Sequence, residues 1–212
     1  MKNYVRLVTV LIVVWFISVA FASALQLFRN NANRVGIAVA IAAVTPILIF
    51  SLWFAGSQKF RQFTLSVDPV ILTSVQAWRL IGFTFILLQA RGALPAIFAL
   101  PAGYGDMAIG ATAAFVAWKL AIPTNRNAFI LWQVLGIVDL VSAVALGTTA
   151  RVLSPHDAAM LPMTVLPLSL IPTFLVPLFA ILHFICIAQA MQWKAGSERT
   201  GLAAGPLQRA EI

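Results

Sequence analysis

Six long apolar runs dominate this chain of 212 residues. They cover approximately residues 5–28, 34–56, 69–90, 103–121, 127–149 and 165–191. A helix needs about 20 apolar residues to cross the hydrocarbon core of a membrane, and each run is close to that length. A helix also satisfies its backbone hydrogen bonds within its own segment, as lipid requires. The runs therefore predict an all-α, polytopic integral membrane protein with a bundle of six transmembrane helices.

The composition agrees with this fold class. Hydrophobic residues make up 61% of the chain and charged residues only 9%, whereas soluble domains carry about 25% charged residues. The net charge of +8 comes from Lys and Arg residues that stand singly at the ends of the apolar runs. These features exclude a soluble enzyme and a nucleic-acid binder. The expected partners are the lipid bilayer and either another membrane protein or a second copy of the chain.

The distribution of Lys and Arg predicts the orientation. With six spans both termini lie on one side, which then holds nine basic residues, namely Lys2, Arg6, Lys59, Arg61, Lys119, Arg126, Lys194, Arg199 and Arg209. The other side holds four, namely Arg29, Arg34, Arg91 and Arg151. Basic residues concentrate on the cytoplasmic side. We therefore expect both termini in the cytoplasm, in an inner or plasma membrane of bacterial type.

The two ends of the chain differ from the six spans in what they predict. Residues 1–193 are expected to form one transmembrane domain, followed by a short cytoplasmic tail over 194–212. Ala22-Ser23-Ala24 fits the small-residue pattern of a signal-peptide cleavage site. The first apolar run is long enough to span the membrane, so we expect an uncleaved first helix, with cleavage as the alternative.

Three ionisable residues interrupt the predicted spans. Arg79 lies at the centre of the third, Asp106 near the outer end of the fourth and Asp139 at the centre of the fifth. Each such group costs about 2.5–3.5 kcal/mol in lipid and so needs a partner or water. At about 100° per residue, each shares a helix face with small or polar residues. Those faces are Thr73, Gln76, Arg79 and Gly82; Gly103, Asp106, Gly110 and Ala114; and Gln133, Gly136, Asp139 and Ala143.

These faces predict one buried polar cluster. We expect Arg79 to pair with Asp139, and Asp106 to take the second arm of the guanidinium or to bind Tyr104. Gln76 and Gln133 would supply hydrogen bonds between helices. The three charges sum to −1 if all are ionised, which suits a site for a proton or cation. The alternative is a structural ion pair that fixes the register of the helices.

The segment from Arg91 to Asp106 predicts a short apolar loop on the outer face. Pro95 and Pro101 break its apolar run, so a re-entrant or interfacial turn is favoured over another span. In this interpretation Asp106 lies in the first turn of the helix that follows. On the opposite face, residues 58–68 alternate charge with Phe60, Phe63 and Leu65. That pattern predicts either a short interfacial helix or a plain connecting loop.

The remaining chemistry-bearing residues support no cofactor that we can name. A membrane haem needs two histidines at similar depth, but His156 lies in the outer loop and His183 in the cytoplasmic half of the last span. A catalytic zinc needs three converging ligands, which we do not find. His183 is expected to be a hydrogen-bonding packing residue, with a ligand or proton relay as the alternative. Cys186 is the single cysteine, so no thiol pair exists, and it either faces lipid or fills the core.

The sequence favours a small permease or an ion- or proton-linked transport protein. Asp106 and Asp139 would bind the proton or cation, and Arg79 would supply the counter-charge. The main alternative is a non-catalytic structural or accessory subunit of a membrane complex. An intramembrane enzyme, suggested only by the carboxylates and His183, is the weaker alternative, so we do not expect an enzyme.

Overall fold

The computed structural model describes residues 2–29, 36–153 and 160–203, without the side chains of Lys2 and residues 194–203. The predicted positions of His156 and of the tail over 204–212 lie outside these residues. The eight α-helices of the described chain are α1 (Lys2–Ala24), α2 (Ile37–Gly56), α3 (Gln58–Leu65), α4 (Pro69–Ser74), α5 (Phe83–Ala90), α6 (Ala96–Lys119), α7 (Arg126–Leu153) and α8 (Val176–Ala203). Three 3₁₀ segments (Val75–Gly82, Pro123–Asn125 and Leu161–Thr164) and a π-helical turn (Ile171–Leu175) complete the described helical structure.

Within the described ranges, five helical stretches are long and apolar enough to cross a membrane: Asn3–Ala24, Ile37–Gly56, Pro69–Ala90, Pro123–Leu153 and Ile171–Trp193. The third combines α4, the 3₁₀ segment Val75–Gly82 and α5 in one continuous stretch. Helix α6 has 24 residues but is not among the five, since Gly103, Tyr104, Gly105 and Asp106 lower its hydropathy. The described part of the chain is therefore all-helical, with several helices that are long and apolar enough to cross a membrane.

The predicted loop from Arg91 to Asp106 is wrong in its extent. Only Arg91–Pro95 forms a turn, and α6 begins at Ala96 with Pro95 as its N-cap. Pro101 lies inside the helix. A proline there removes one backbone hydrogen bond, and membrane helices tolerate that loss when neighbouring helices cover it. Asp106 consequently lies in the middle of α6 and not in its first turn.

The last apolar run also begins later than predicted. Residues 165–169 form a bend and turns, and the helical path continues through the π-helical turn at Ile171 before α8 begins at Val176. Pro167 lies within this non-helical stretch and lacks a backbone donor, which disfavours a helix there. The charged, Phe-containing segment that follows α2 is helical as α3, with the Ser57 hydroxyl accepting from Phe60 N at its start.

The centre of the bundle consists of α4 to α8. Helix α6 packs along the 3₁₀ segment Val75–Gly82, α5 and α7, while α8 packs on α7, α4 and α2. Helices α1 and α2 lie at the periphery. Only 11% and 6% of their most apolar 18 residues are buried, against 44% for the stretch Ile171–Trp193. The N-terminus of α1 approaches α3 through the stacked rings of Tyr4 and Phe63.

Two apolar cores occupy opposite ends of this centre. At the end where α3 lies, which we call the α3 end, the core comprises Leu72, Val116, Ala121, Phe129, Ile185, Cys186 and Ala190. At the end of the Arg91–Pro95 turn, which we call the turn end, it comprises Phe85, Leu94, Phe98, Ala99, Ala102, Ala150, Met160, Met163 and Ile171. The buried charged side chains lie between these two cores.

Candidate functional site

The 3₁₀ segment Val75–Gly82 orients the only cation of the site. A 3₁₀ helix has three residues per turn, so side chains three apart in sequence lie directly above one another. Gln76 and Arg79 therefore point to the same side, and both are buried. Thr73, at the end of α4, is buried as well. Because a mid-helix 3₁₀ stretch has poorer hydrogen-bond geometry than an α-helix, packing against α6 has to stabilise it.

The Arg79 guanidinium is fully buried and binds three other segments. Its Nε donates to Asp106 Oδ1 on α6 at 2.7 Å. Its Nη2 donates to Asp139 Oδ2 on α7. Its Nη1 donates to the carbonyl oxygen of Gly136 at 3.2 Å and lies 3.3 Å from His183 Nε2 on α8. These contacts involve all three guanidinium nitrogens and join the four central segments of the bundle.

A second set of hydrogen bonds continues from His183. Because Arg79 has only donors, His183 Nε2 acts as the acceptor in that contact, and the ring proton lies on Nδ1. Nδ1 then donates to Gln133 Oε1 at 2.5 Å. Gln133 Nε2 donates to Thr73 Oγ1 at 3.2 Å, and that hydroxyl lies 3.7 Å from Cys186 Sγ. The network thus fixes a neutral His183.

Glycines allow the four segments to approach this closely. A Cβ atom on Gly136 would overlap the His183 ring, and one on Gly105 would overlap the Asp139 carboxylate. A Cβ atom on Gly110 would lie 2.7 Å from the backbone nitrogen of Leu80. Small residues that let membrane helices approach are typical of buried interfaces. At these positions they let polar groups on different helices reach one guanidinium.

The two carboxylates are less enclosed than the cation. The Arg79 side chain is 0% exposed, whereas those of Asp106 and Asp139 are 12% and 14% exposed. One guanidinium between two ionised carboxylates carries a formal charge of −1, which a medium of low polarity disfavours. The open edges of the carboxylates are the part of the site that can accept a proton or a small cation.

The structure brings together most of the residues predicted for the site. Arg79, Asp106, Asp139, Gln133 and His183 form the network just described, which we call the polar cluster. Gln76 lies beside it, fully buried, and its Nε2 donates to the carbonyl oxygen of Phe179 at 3.3 Å.

Tyr104 lies outside the cluster. Its side chain is 61% exposed, so the predicted alternative in which Asp106 binds Tyr104 is wrong. On a helix, residues two apart in sequence point in different directions, and Asp106 faces the 3₁₀ segment.

His183 is a buried, hydrogen-bonding residue, as the sequence predicts, and its partners Arg79 and Gln133 make it part of the polar cluster. A signal for this was present in the sequence: His183, Cys186 and Gln189 recur every three residues on α8, as polar residues in an otherwise apolar run. The same spacing marks Thr73, Gln76 and Arg79, so the two segments carry matching polar faces.

The comparisons with known proteins give a family but no function. No curated protein and no solved structure matches the chain. Residues 34–191 match the family described as "Domain of unknown function (DUF8737)". This range contains every residue of the polar cluster and Gln76, and it leaves α1 outside. Since the match covers about three quarters of the sequence, the chain belongs to the DUF8737 family.

Proposed function

We propose that this protein is a six-span membrane protein that moves protons or small cations at the carboxylates of Asp106 and Asp139. Helix α6 serves as the sixth span in this proposal. Its 24 residues extend about 36 Å at 1.5 Å per residue, enough for a hydrocarbon core of about 30 Å. The nine basic residues on one side and four on the other favour both termini in the cytoplasm.

One observation carries the proposal: the cation is fully enclosed, while the two carboxylates that hold it keep open edges. A purely structural ion pair in lipid favours complete enclosure of all charges, because an open carboxylate edge loses solvation without gaining a partner. Two ionised carboxylates around one fixed guanidinium instead carry a formal charge of −1, which one additional positive charge would neutralise. Arg79 then acts as a permanent counter-charge, and the proton or cation exchanges at the carboxylates.

The test is ion flux into liposomes that contain the purified protein. A potassium diffusion potential drives protons, which a trapped pH-sensitive dye detects, and sodium entry is measured in parallel. We expect flux with the wild-type protein and background flux with Asp106→Asn and with Asp139→Asn. The matched control is Asp68→Asn, because Asp68 is exposed at the N-cap of α4 and asparagine caps helices equally well.

The competing proposal is a structural or accessory subunit in which the cluster only fixes the order of the helices. The observation that favours it is that Arg79 is bound by three segments, α6, α7 and α8. That proposal predicts no flux with the wild-type protein and co-purification of a partner membrane protein in mild detergent. Wild-type flux that persists in both cluster variants contradicts the transport proposal.

A further inference from the structure

Polar side chains continue from the polar cluster to the α3 end along the contact between α8 and the segment 67–79. The two segments run in opposite directions, and their polar groups meet at regular intervals. Arg79 meets His183 at 3.3 Å, and Thr73 Oγ1 meets Cys186 Sγ at 3.7 Å. Nearest the α3 end, Gln189 Nε2 donates to the carbonyl oxygen of Val67 at 2.6 Å. We call this line the polar seam, comprising Thr73, Gln76, Gln133, His183, Cys186 and Gln189.

Two amide oxygens in the polar seam have no donor among the residues that the structure describes. Gln76 Oε1 and Gln189 Oε1 are both buried and unpartnered. The residues themselves are 0% and 5% exposed. Their amide orientations are fixed, because each NH₂ group donates to a backbone carbonyl, that of Phe179 for Gln76 and that of Val67 for Gln189. Turning either amide around would place two acceptors against each other.

Buried acceptors of this kind require a donor, and internal water is the usual one. Water occupies protein interiors where two or more polar groups can bind it. A backbone or amide oxygen left without a donor in the interior is unfavourable. In the polar seam, Gln76 lies three residues from both Thr73 and Arg79, and all three side chains are buried, so polar groups flank that position along the chain. The turn end contrasts with this, because its core is built from apolar side chains such as Phe85, Phe98 and Met163.

We propose that the polar seam holds internal water and forms a one-sided path for protons between the α3 end and the carboxylate pair. This inference rests on the proposed function and names the side from which the site is reached. A proton enters at the α3 end and passes along the water molecules. The last water transfers one of its protons to a carboxylate oxygen, so one O–H bond of that water breaks and a new O–H bond forms on the carboxylate. The same water then regains a proton from the preceding water. Arg79 remains protonated throughout.

Hydroxyl-radical footprinting tests the water directly in the intact protein. X-rays ionise water wherever it lies, and the radicals modify side chains next to it. Cys186 in the polar seam and Met163 at the turn end are both sulfur-containing, readily modified and buried, at 1% and 6% exposure. We expect Cys186 to be modified several-fold faster than Met163, despite its lower exposure. A Cys186 rate at or below that of Met163 overturns the inference.

A variant at Gln76 tests the path. Gln76→Leu removes the unpartnered oxygen, so we expect slower Cys186 modification and slower proton flux. The control Gln62→Leu changes an exposed glutamine on α3 and is expected to alter neither rate. Circular dichroism and gel filtration establish that both variants fold. An unchanged Cys186 rate in folded Gln76→Leu overturns the assignment of water to this residue.

Failure of the path and failure of the transport proposal have different signatures. Rapid Cys186 modification without any wild-type ion flux removes the transport proposal and leaves the hydrated seam. Wild-type proton flux that persists at full rate in folded Gln76→Leu removes the path and leaves the transport proposal.

Discussion

The polar cluster and the turn end of the bundle both lie along α6 and α7 but differ in chemistry. Helix α7 shows the contrast on a single face. Gly136 faces the ring of His183, whereas Gly147, about three turns further along, faces Phe98 and Met160. In the polar cluster, small residues bring polar groups together. Towards the turn end, they bring apolar side chains together.

Close helix packing therefore serves two purposes in one bundle. In lipid, apolar burial gives helices little reason to associate, so packing and hydrogen bonds have to hold them together. At the turn end, ring contacts such as Phe85 with Phe98, at 5.4 Å between centroids, supply the packing. Around Arg79 the hydrogen bonds dominate. Substitutions in the two regions should therefore lower the free energy of unfolding by different amounts and for different physical reasons.

The largest expected effect comes from removing the cation. Arg79→Met leaves the Asp106 and Asp139 carboxylates buried without a counter-charge, and breaking a buried ion pair in this way costs about 3–5 kcal/mol. We expect a loss of that size in the free energy of unfolding, measured by SDS titration in mixed micelles. The control is Arg91→Met in the exposed turn, which should stay within about 0.5 kcal/mol of the wild type.

A second substitution shows whether charge causes that loss. Adding Asp139→Asn to Arg79→Met removes one uncompensated carboxylate, so part of the stability should return. A loss that Asp139→Asn does not reduce would mean that Arg79 acts by packing alone, and the contrast between charged centre and apolar end would lose its electrostatic basis.

An intermediate effect is expected from the two glycines of α7. Gly136→Ala places a methyl group in the His183 ring, and overpacking of this kind costs about 1–3 kcal/mol. Gly147→Ala is the matched control on the same helix, because its Cβ would lie 3.4 Å from Met160 Cε, an ordinary contact. It should cost nothing, since alanine is the better helix former. The same SDS titration measures both variants, and equal losses in the free energy of unfolding would contradict the contrast between the polar cluster and the turn end.

The sequence predicts the third membrane stretch well because its limits carry strong local signals. Asp68 and Pro69 form an N-cap and a first turn, and Arg91-Gly92 follows the last helical residue. Helical spacing alone also places Asp106 and Asp139 on faces that meet Arg79. Charges in lipid leave few arrangements, so local pattern and burial agree here.

The start of α6 and the role of His183 depend on packing that one sequence does not reveal. Two prolines in residues 91–106 predict a loop, but α6 continues through Pro101, which lies exposed on the helix surface, because α6 as a whole packs against the 3₁₀ segment and α7. The His183 ring can approach Arg79 only because Gly136, on another helix, has no side chain at that point. The 3₁₀ form of residues 75–82 is also not part of the sequence-based prediction. The sequence feature that indicates it is the three-residue spacing of Thr73, Gln76 and Arg79.

The smallest expected effect distinguishes the polar seam from ordinary helix-internal hydrogen bonds. Thr73→Val removes the acceptor of Gln133 and the neighbour of Cys186, and interhelical hydrogen bonds in membranes contribute about 0.6 kcal/mol on average, up to about 1.7. Thr148→Val is the matched control, since that hydroxyl is exposed and bonds only to Val144 O of its own helix, at 2.8 Å. SDS titration should show a measurable loss for Thr73→Val alone. Equal losses would mean that the polar seam contributes no more to the free energy of unfolding than a surface threonine does. The buried groups of the seam would then need another reason to be polar. Proton conduction supplies such a reason, whereas ordering of the helices does not.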